Sequence, residues 1–197
     1  MNNFFDAIVI GVGCMGSSTC YYLAERGYKV LGIEQFSISH EFGSHTGQSR
    51  IIRKAYFENS SYVPLLNRAY ENWKALEEET NEQIYFPTGL VYFGPFNHPL
   101  LEGVKQSAKL YDIKLDQLDL SDGARRFSQF KLPGSFEILF EPDAGFVTPE
   151  NAIRLYAREA ERKGAHIHRN EKVVSWKKDG EGIQVITDKN IYRSERL

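Results

Sequence analysis

The sequence predicts an α/β fold that starts with a Rossmann-like βαβ unit. Three observations carry this. An apolar, β-branched run at residues 4–10 leads straight into Gly11-Val12-Gly13-Cys14-Met15-Gly16. A helical stretch, 17–26, follows and stops at Gly27. A second apolar run, 29–34, then ends on an acid, Glu34. Strand, Gly-rich turn, helix and strand make the minimal parallel unit, whose crossover is right-handed.

The remaining elements follow in order. Residues 35–47 are polar, rich in Ser, His and Gly, and read as an ordered loop; 49–55 start a new element. Residues 62–80 form an amphipathic helix, because Leu66, Ala69, Tyr70, Trp73 and Leu76 recur at helical spacing. Residues 84–93 are strand-like but broken by Pro87 and Gly89, and 100–111 are helical. The stretch 112–145 is mixed, with strand character at 136–140. A helix opens at Thr148-Pro149-Glu150, with Thr148 as N-cap and Pro149 in the first turn, and runs to Lys163 before Gly164. Four short strands close the chain, at 165–169, 172–176, 182–187 and 190–193, the last two joined by a hairpin at Asp188-Lys189.

The Gly-rich turn carries chemistry because of its context. Gly11 permits a tight turn, Gly13 lets the main chain approach a pyrophosphate, and Gly16 lets helix and strand pack closely. Amides at the helix N-terminus then face the phosphate charge, and Glu34 accepts hydrogen bonds from a ribose. An acid there disfavours a 2′-phosphate and hence NADP, but leaves NAD and FAD open, since both contain the same ADP half. Cys14 reads as a small residue filling the turn at a helix N-terminus, a place that can lower a thiol's pKa.

Composition narrows the classes. With 42% hydrophobic and 25% charged residues over 197 positions, the chain is expected to be an ordinary globular protein. A net charge of -2 and the lack of a Lys/Arg run give no case for nucleic acid. Cys14 and Cys20 are too few for a disulfide framework and read as thiols of a cytoplasmic protein. No secretory leader pattern and no run of ~20 apolar residues is present, so no membrane association is expected. His166 and His168 alternate on a strand without a ligand cluster beside them, so no metal site is expected.

Gly43-Ser44-His45-Thr46-Gly47-Gln48-Ser49-Arg50-Ile51-Ile52-Arg53 places two arginines three apart after a Gly/Ser-rich loop. If this stretch is helical, Arg50 and Arg53 share a face. Such a pair can hold an amino-acid carboxylate and place positive charge near a reduced, anionic flavin. His45, alone in a polar loop, is more commonly solvated or backbone-bonded than a base.

The pattern Ser-His-x-Gly-x-Ser-Arg-x-x-Arg behind a GxGxxG unit ending in Glu34 resembles the monomeric sarcosine oxidase, N-methyltryptophan oxidase and pipecolate oxidase group. These are flavoproteins with the D-amino acid oxidase type of fold. The resemblance continues through Tyr62, Trp73, Leu76-Glu77, Thr88-Gly89-Leu90, Phe93-Gly94, Phe140-Glu141-Pro142-Asp143-Ala144-Gly145, Glu150-Asn151 and Lys163-Gly164-Ala165, in order along the whole chain.

The resemblance implies an FAD-binding domain at 1–84 and 146–197, and part of an inserted, sheet-containing substrate domain at 85–145. It implies that Arg53 binds the substrate carboxylate and that Arg50 lies against the flavin ring. His45 and Thr46 complete the implied catalytic set. Gly11, Gly13, Cys14, Met15, Gly16, Glu34, Gln35, Gly43, Ser44 and Arg50 would hold FAD, with the backbone of Val173 at the adenine. The substrate would be a small secondary amino acid, oxidised to an imine with oxygen as acceptor and hydrogen peroxide as product. Several sarcosine-type members carry a histidine where Thr46 stands, so the His-Thr-Gly-Gln-Ser-Arg form sits closer to the pipecolate-like variant.

The resemblance further implies that the family's covalent-tether cysteine, a carboxylate-binding lysine and the strand returning beneath the flavin lie beyond residue 197. On that expectation β-strand 4–10 presents an unpaired apolar edge, and residues 1–197 alone bind FAD weakly or not at all and do not turn over. Two other readings stay open: an NAD-dependent dehydrogenase sharing the βαβ start, and a non-catalytic nucleotide-binding subunit.

Overall fold

The computed structural model describes residues 4–197. In chain order the elements are β1 (Phe4–Ile10), α1 (Cys14–Glu25), β2 (Val30–Ile33), β3 (Arg50–Ile52), α2 (Val63–Thr80), β4 (Tyr85–Phe86), β5 (Leu90–Pro95) and α3 (Pro99–Leu110). They continue with β6 (Asp116–Leu118), α4 (Leu120–Arg126), β7 (Phe136–Glu141), β8 (Gly145–Val147), α5 (Pro149–Arg162), β9 (His166–His168), β10 (Val173–Asp179), β11 (Gly182–Thr187) and β12 (Ile191–Arg196). A 3₁₀ turn, Ser60–Tyr62, precedes α2. The chain divides into two compact units. One comprises the described residues up to Gln48 together with Thr148–Leu197, the other Ser49–Val147.

The first unit is built on one six-stranded sheet in the order β10-β11-β12-β1-β2-β9. β1, β2 and β9 run parallel, and β10, β11 and β12 form an antiparallel meander. All four residues of β2 are buried, as expected of a parallel strand covered on both faces. Phe5, Ile8, Leu31, Ile33, Val185 and Tyr192 pack into a core. α1 and α5 pack on each other, with Tyr21 edge-on to Tyr156 at 5.3 Å between ring centres. Thr148 occupies the N-cap of α5, but no side-chain hydrogen bond caps the helix; Pro149 stands in its first turn.

The expected free edge of β1 is corrected by this sheet. β1 is interior: β2 pairs with it on one side, and β12 pairs with it in parallel on the other, with Phe4 opposite Arg193 and Ala7 opposite Arg196. The meander supplies the second partner.

The second unit contains two three-stranded sheets, β3-β8-β4 and β5-β7-β6. Its core is Ala55, Tyr92, Leu101, Val104 and Leu139, with a smaller cluster at Tyr70, Tyr85 and Val147. α2 buries Val63, Tyr70 and Leu76. The split also falls elsewhere than 85–145. Residues 49–84 join the second unit because β3 pairs with β8, and because the Glu141 carboxylate accepts hydrogen bonds from the amides of Lys54 (2.6 Å) and Ala55. The irregular stretch 112–145 contains β6, α4 and β8 besides the expected strand at β7.

Candidate nucleotide-binding site

The site is built where β1 ends. Gly11 has φ +85, the left-handed region that a residue with a Cβ adopts at a cost, and its amide donates to the Ile33 carbonyl at 2.8 Å. A Cβ on Gly16 would fall on the Gly11 carbonyl, so the first turn of α1 closes on the strand only with glycine there. α1 starts at an N-cap glycine, Gly13, with no side-chain capping bond and no acid in its first turn. Its positive amide end is therefore open to an anion.

Glu34, at the end of β2, is buried, and its carboxylate organises the turn. Oε2 accepts from the Val12 amide at 2.9 Å, Oε1 accepts from the Phe36 amide at 3.0 Å, and His40 Nε2 lies 3.4 Å from Oε1. A carboxylate offers about four acceptor positions, so capacity remains for a ribose hydroxyl. The loop 35–47 is pinned to α5: Ser39 Oγ donates to the Glu150 carbonyl at 2.8 Å, and the Gly47 amide to the Glu150 carboxylate at 3.0 Å. His40 packs edge-on against His45, which is buried with Nε2 lacking a partner among the described residues.

These parts line one cleft of about 570 Å³ within the first unit. Of the residues expected from sequence, Gly11, Gly13, Cys14, Met15, Gly16, Glu34, Gln35, Gly43, Ser44, His45 and Val173 all line it. Thr46 is not in its wall; its hydroxyl turns back into its own loop, 2.7 Å from the Gly43 carbonyl and 2.8 Å from that of Glu41. His40, Thr19, Glu171 and Lys172 also line the cleft. Sequence reasoning missed Glu171 and Lys172 because they reach the cleft from far along the chain; Thr19 on α1 and His40 in the polar loop are local, but neither stands at a position of the glycine motif.

Arg50 and Arg53 belong to the second unit, and the condition under which they would share a helical face is not met. Arg50–Ile52 is a strand, paired to β8 with Ile51 opposite Phe146. Two β-branched isoleucines beside a waiting partner strand outweigh the helical option. Arg50 is exposed and donates to the Ser49 carbonyl. Arg53 is partly buried, donates to both Glu58 carboxylate oxygens at 3.1 and 3.2 Å, and lies over the rings of Tyr56 and Phe57. Its Nε is buried with no hydrogen-bond partner among the described residues.

Residues 6–195 match the DAO family, FAD dependent oxidoreductase. The chain belongs to that family. It is 36% identical over 197 residues to the monomeric sarcosine oxidase of Streptomyces avermitilis, covering 100% of this chain and 51% of the relative. It is 34% identical over 193 residues to the N-methyl-L-tryptophan oxidase of Citrobacter koseri, covering 98% of this chain and 52% of that protein. Among solved structures, NikD, an unusual amino acid oxidase essential for nikkomycin biosynthesis, superposes with a TM-score of 0.86 at 26% identity, covering 98% of this chain and 50% of its own. The L-proline dehydrogenase of P. horikoshii shares the fold, with a TM-score of 0.84 at 20% identity. The chain spans about half the length of the curated relatives it matches.

The family's cofactor is FAD, and the cleft suits its ADP half. The open helix end at Gly13 and Cys14 fits a diphosphate, and the Glu34 carboxylate fits a ribose diol. Among the described residues, no group of three or more potential metal ligands is present, and no helix is long and apolar enough to cross a membrane.

Proposed function

We propose that the protein oxidises a small secondary amino acid, N-methylated or cyclic as in sarcosine or pipecolate, to the imine. Water would hydrolyse that imine, and oxygen would be the final acceptor, reduced to hydrogen peroxide. Bound FAD supplies the two-electron acceptor for the hydride that leaves the carbon beside nitrogen. The chain's own residues bind and orient. The α1 amides and Glu34 hold the ADP half, and Arg53 offers its guanidinium to the substrate carboxylate. Arg50 places positive charge for a reduced flavin. The two cysteines, neither in a disulfide, favour a cytoplasmic setting.

The observation that carries this reading is Arg53. Its guanidinium carbon lies over two aromatic rings, and its Nε is buried without a hydrogen-bond partner among the described residues. A donor left unmet inside a protein is costly, and an incoming carboxylate would meet it. The shared chemistry of the relatives' named substrates, an N-methylated amino acid, supports the same choice. Peroxide release from the whole protein, given sarcosine, N-methyl-L-tryptophan and L-pipecolate, tests it. Arg53→Ala is expected to raise KM about a hundredfold or more with the bound-flavin absorption retained. No peroxide and no anaerobic bleaching of the flavin with any of the three would sink the reading.

A further inference from the structure

The cleft is braced by a second polar cluster. Glu171 follows β9, is buried at 4% exposure, and forms part of the cleft wall with Lys172 and Val173. Its Oε1 accepts from the Thr187 hydroxyl at 2.6 Å and the Tyr192 hydroxyl at 2.9 Å. Its Oε2 lies 3.1 Å from His168 Nδ1, which is itself 3.0 Å from the Tyr192 hydroxyl. One carboxylate thus gathers β9, β11 and β12. The main chain of the same residue donates to the Glu34 carbonyl at 3.0 Å, and the Glu34 amide donates to the His168 carbonyl at 2.8 Å. Lys172 and Asp188 clasp each other next to it, through Lys172 N to Asp188 Oδ1 and Asp188 N to the Lys172 carbonyl, both 2.9 Å.

We propose that Glu171 is a positioning residue for the adenosine end of the cofactor. This rests on the nucleotide reading of the cleft given above. The carboxylate fixes residues 171–173 and, through them, the main chain of Glu34, the ribose acceptor. A buried carboxylate is costly unless its oxygens are satisfied, and here hydroxyls and an imidazole from three strands satisfy them. Loss of the brace frees the segment between β9 and β10, and the ordering cost then falls on nucleotide binding.

The test is calorimetric titration of the flavin-free whole protein with ADP, which reports the adenosine end without the flavin. Glu171→Leu is expected to weaken ADP binding at least about tenfold, and Thr187→Val and Tyr192→Phe each a few-fold. Glu171→Gln is expected to bind nearly as wild type, since its carbonyl takes both hydroxyls and its amide can donate to neutral His168. Melting of each ligand-free variant is followed in parallel. If Glu171→Leu melts lower but its folded form binds ADP as wild type, the role is only structural and the proposal falls. If Glu171→Leu does not fold, the Thr187 and Tyr192 variants decide, and unchanged ADP affinity in both overturns it. A wild-type protein that binds no ADP defeats the nucleotide reading itself, whatever the variants do.

Discussion

In the first unit the glycine-rich end of the cleft is made chiefly of main chain: a glycine turn, the open amide end of α1 and the Gly11 amide bound to the Ile33 carbonyl. In the second unit the segment that carries Arg53 is held by a side chain. The fully buried Glu141 carboxylate accepts from the Lys54 and Ala55 amides and, at 2.7 Å, from the Tyr92 hydroxyl. Burial, and then the Glu141 charge, push the Tyr92 phenol up, so that it stays a donor. The difference teaches where each unit is vulnerable. A main-chain cradle fails by steric intrusion, when a Cβ is added where none fits. A side-chain anchor fails by loss of its charge.

The largest effect is expected at that anchor. Glu141→Leu leaves two amides and a hydroxyl without an acceptor in an apolar surrounding. At about 1–3 kcal/mol for each unmet group, partly relieved by relaxation, the loss is on the order of 4 kcal/mol. Glu141→Gln keeps one carbonyl acceptor and is expected to lose about half of that. Chemical denaturation with a probe in each unit checks both variants. Equal losses at both probes would mean that the two units unfold together, and that the anchor is not local to the second.

The second effect is steric. Gly16→Ala forces a methyl onto the Gly11 carbonyl and is expected to cost about 1–3 kcal/mol. It should also abolish retention of FAD, because α1 can no longer close on β1. Gly134→Ala is the control, since its Cβ would meet only the Leu120 side chain at 3.8 Å. A Gly16→Ala protein that keeps its flavin would break the claim that the cradle fails by intrusion.

How much of this was legible beforehand follows from the range of the interactions. The βαβ unit and the set from Gly11 to Glu34 are local: every requirement falls within one short stretch, and the pattern of glycines and acid states it. Elements decided by partners far along the chain were not legible. The element at residues 49–55 was left unassigned, a helix being only one option for Arg50 and Arg53, and it is β8, arriving to pair with Ile51 and Ile52, that makes it a strand. β1 was expected at an edge, but β12 comes from the far end of the chain to lie beside Phe4 to Ala7. Glu141 was noticed only as part of a motif, and Glu171 not at all. A carboxylate that binds amides and hydroxyls from several strands looks in sequence like any surface acid.

The smallest effect places one tyrosine from each unit under the same stress. Tyr192 in the first unit and Tyr85 in the second are both pushed up to about 12, burial being the first cause in each. The next cause differs. For Tyr192 it is the hydrogen bond to Glu171, and for Tyr85 it is the charge of Asp143, with Glu141 and Glu77 behind it. Both hydroxyls stay protonated in the folded chain while their unfolded counterparts ionise near the ordinary value of about 10. The folded state therefore binds more protons between those values. The stability these groups contribute is complete below pH 10 and is lost as pH rises towards 12. Denaturation midpoints at pH 8, 10 and 11 should fall in that order, and Tyr85→Phe and Tyr192→Phe should each flatten the decline. Raised salt separates the two, because charges come directly after burial for Tyr85, whereas for Tyr192 the hydrogen bond to Glu171 comes ahead of that residue's charge. An equal response of both variants to salt would mean that the Glu171 charge weighs on Tyr192 as much as the carboxylate charges weigh on Tyr85.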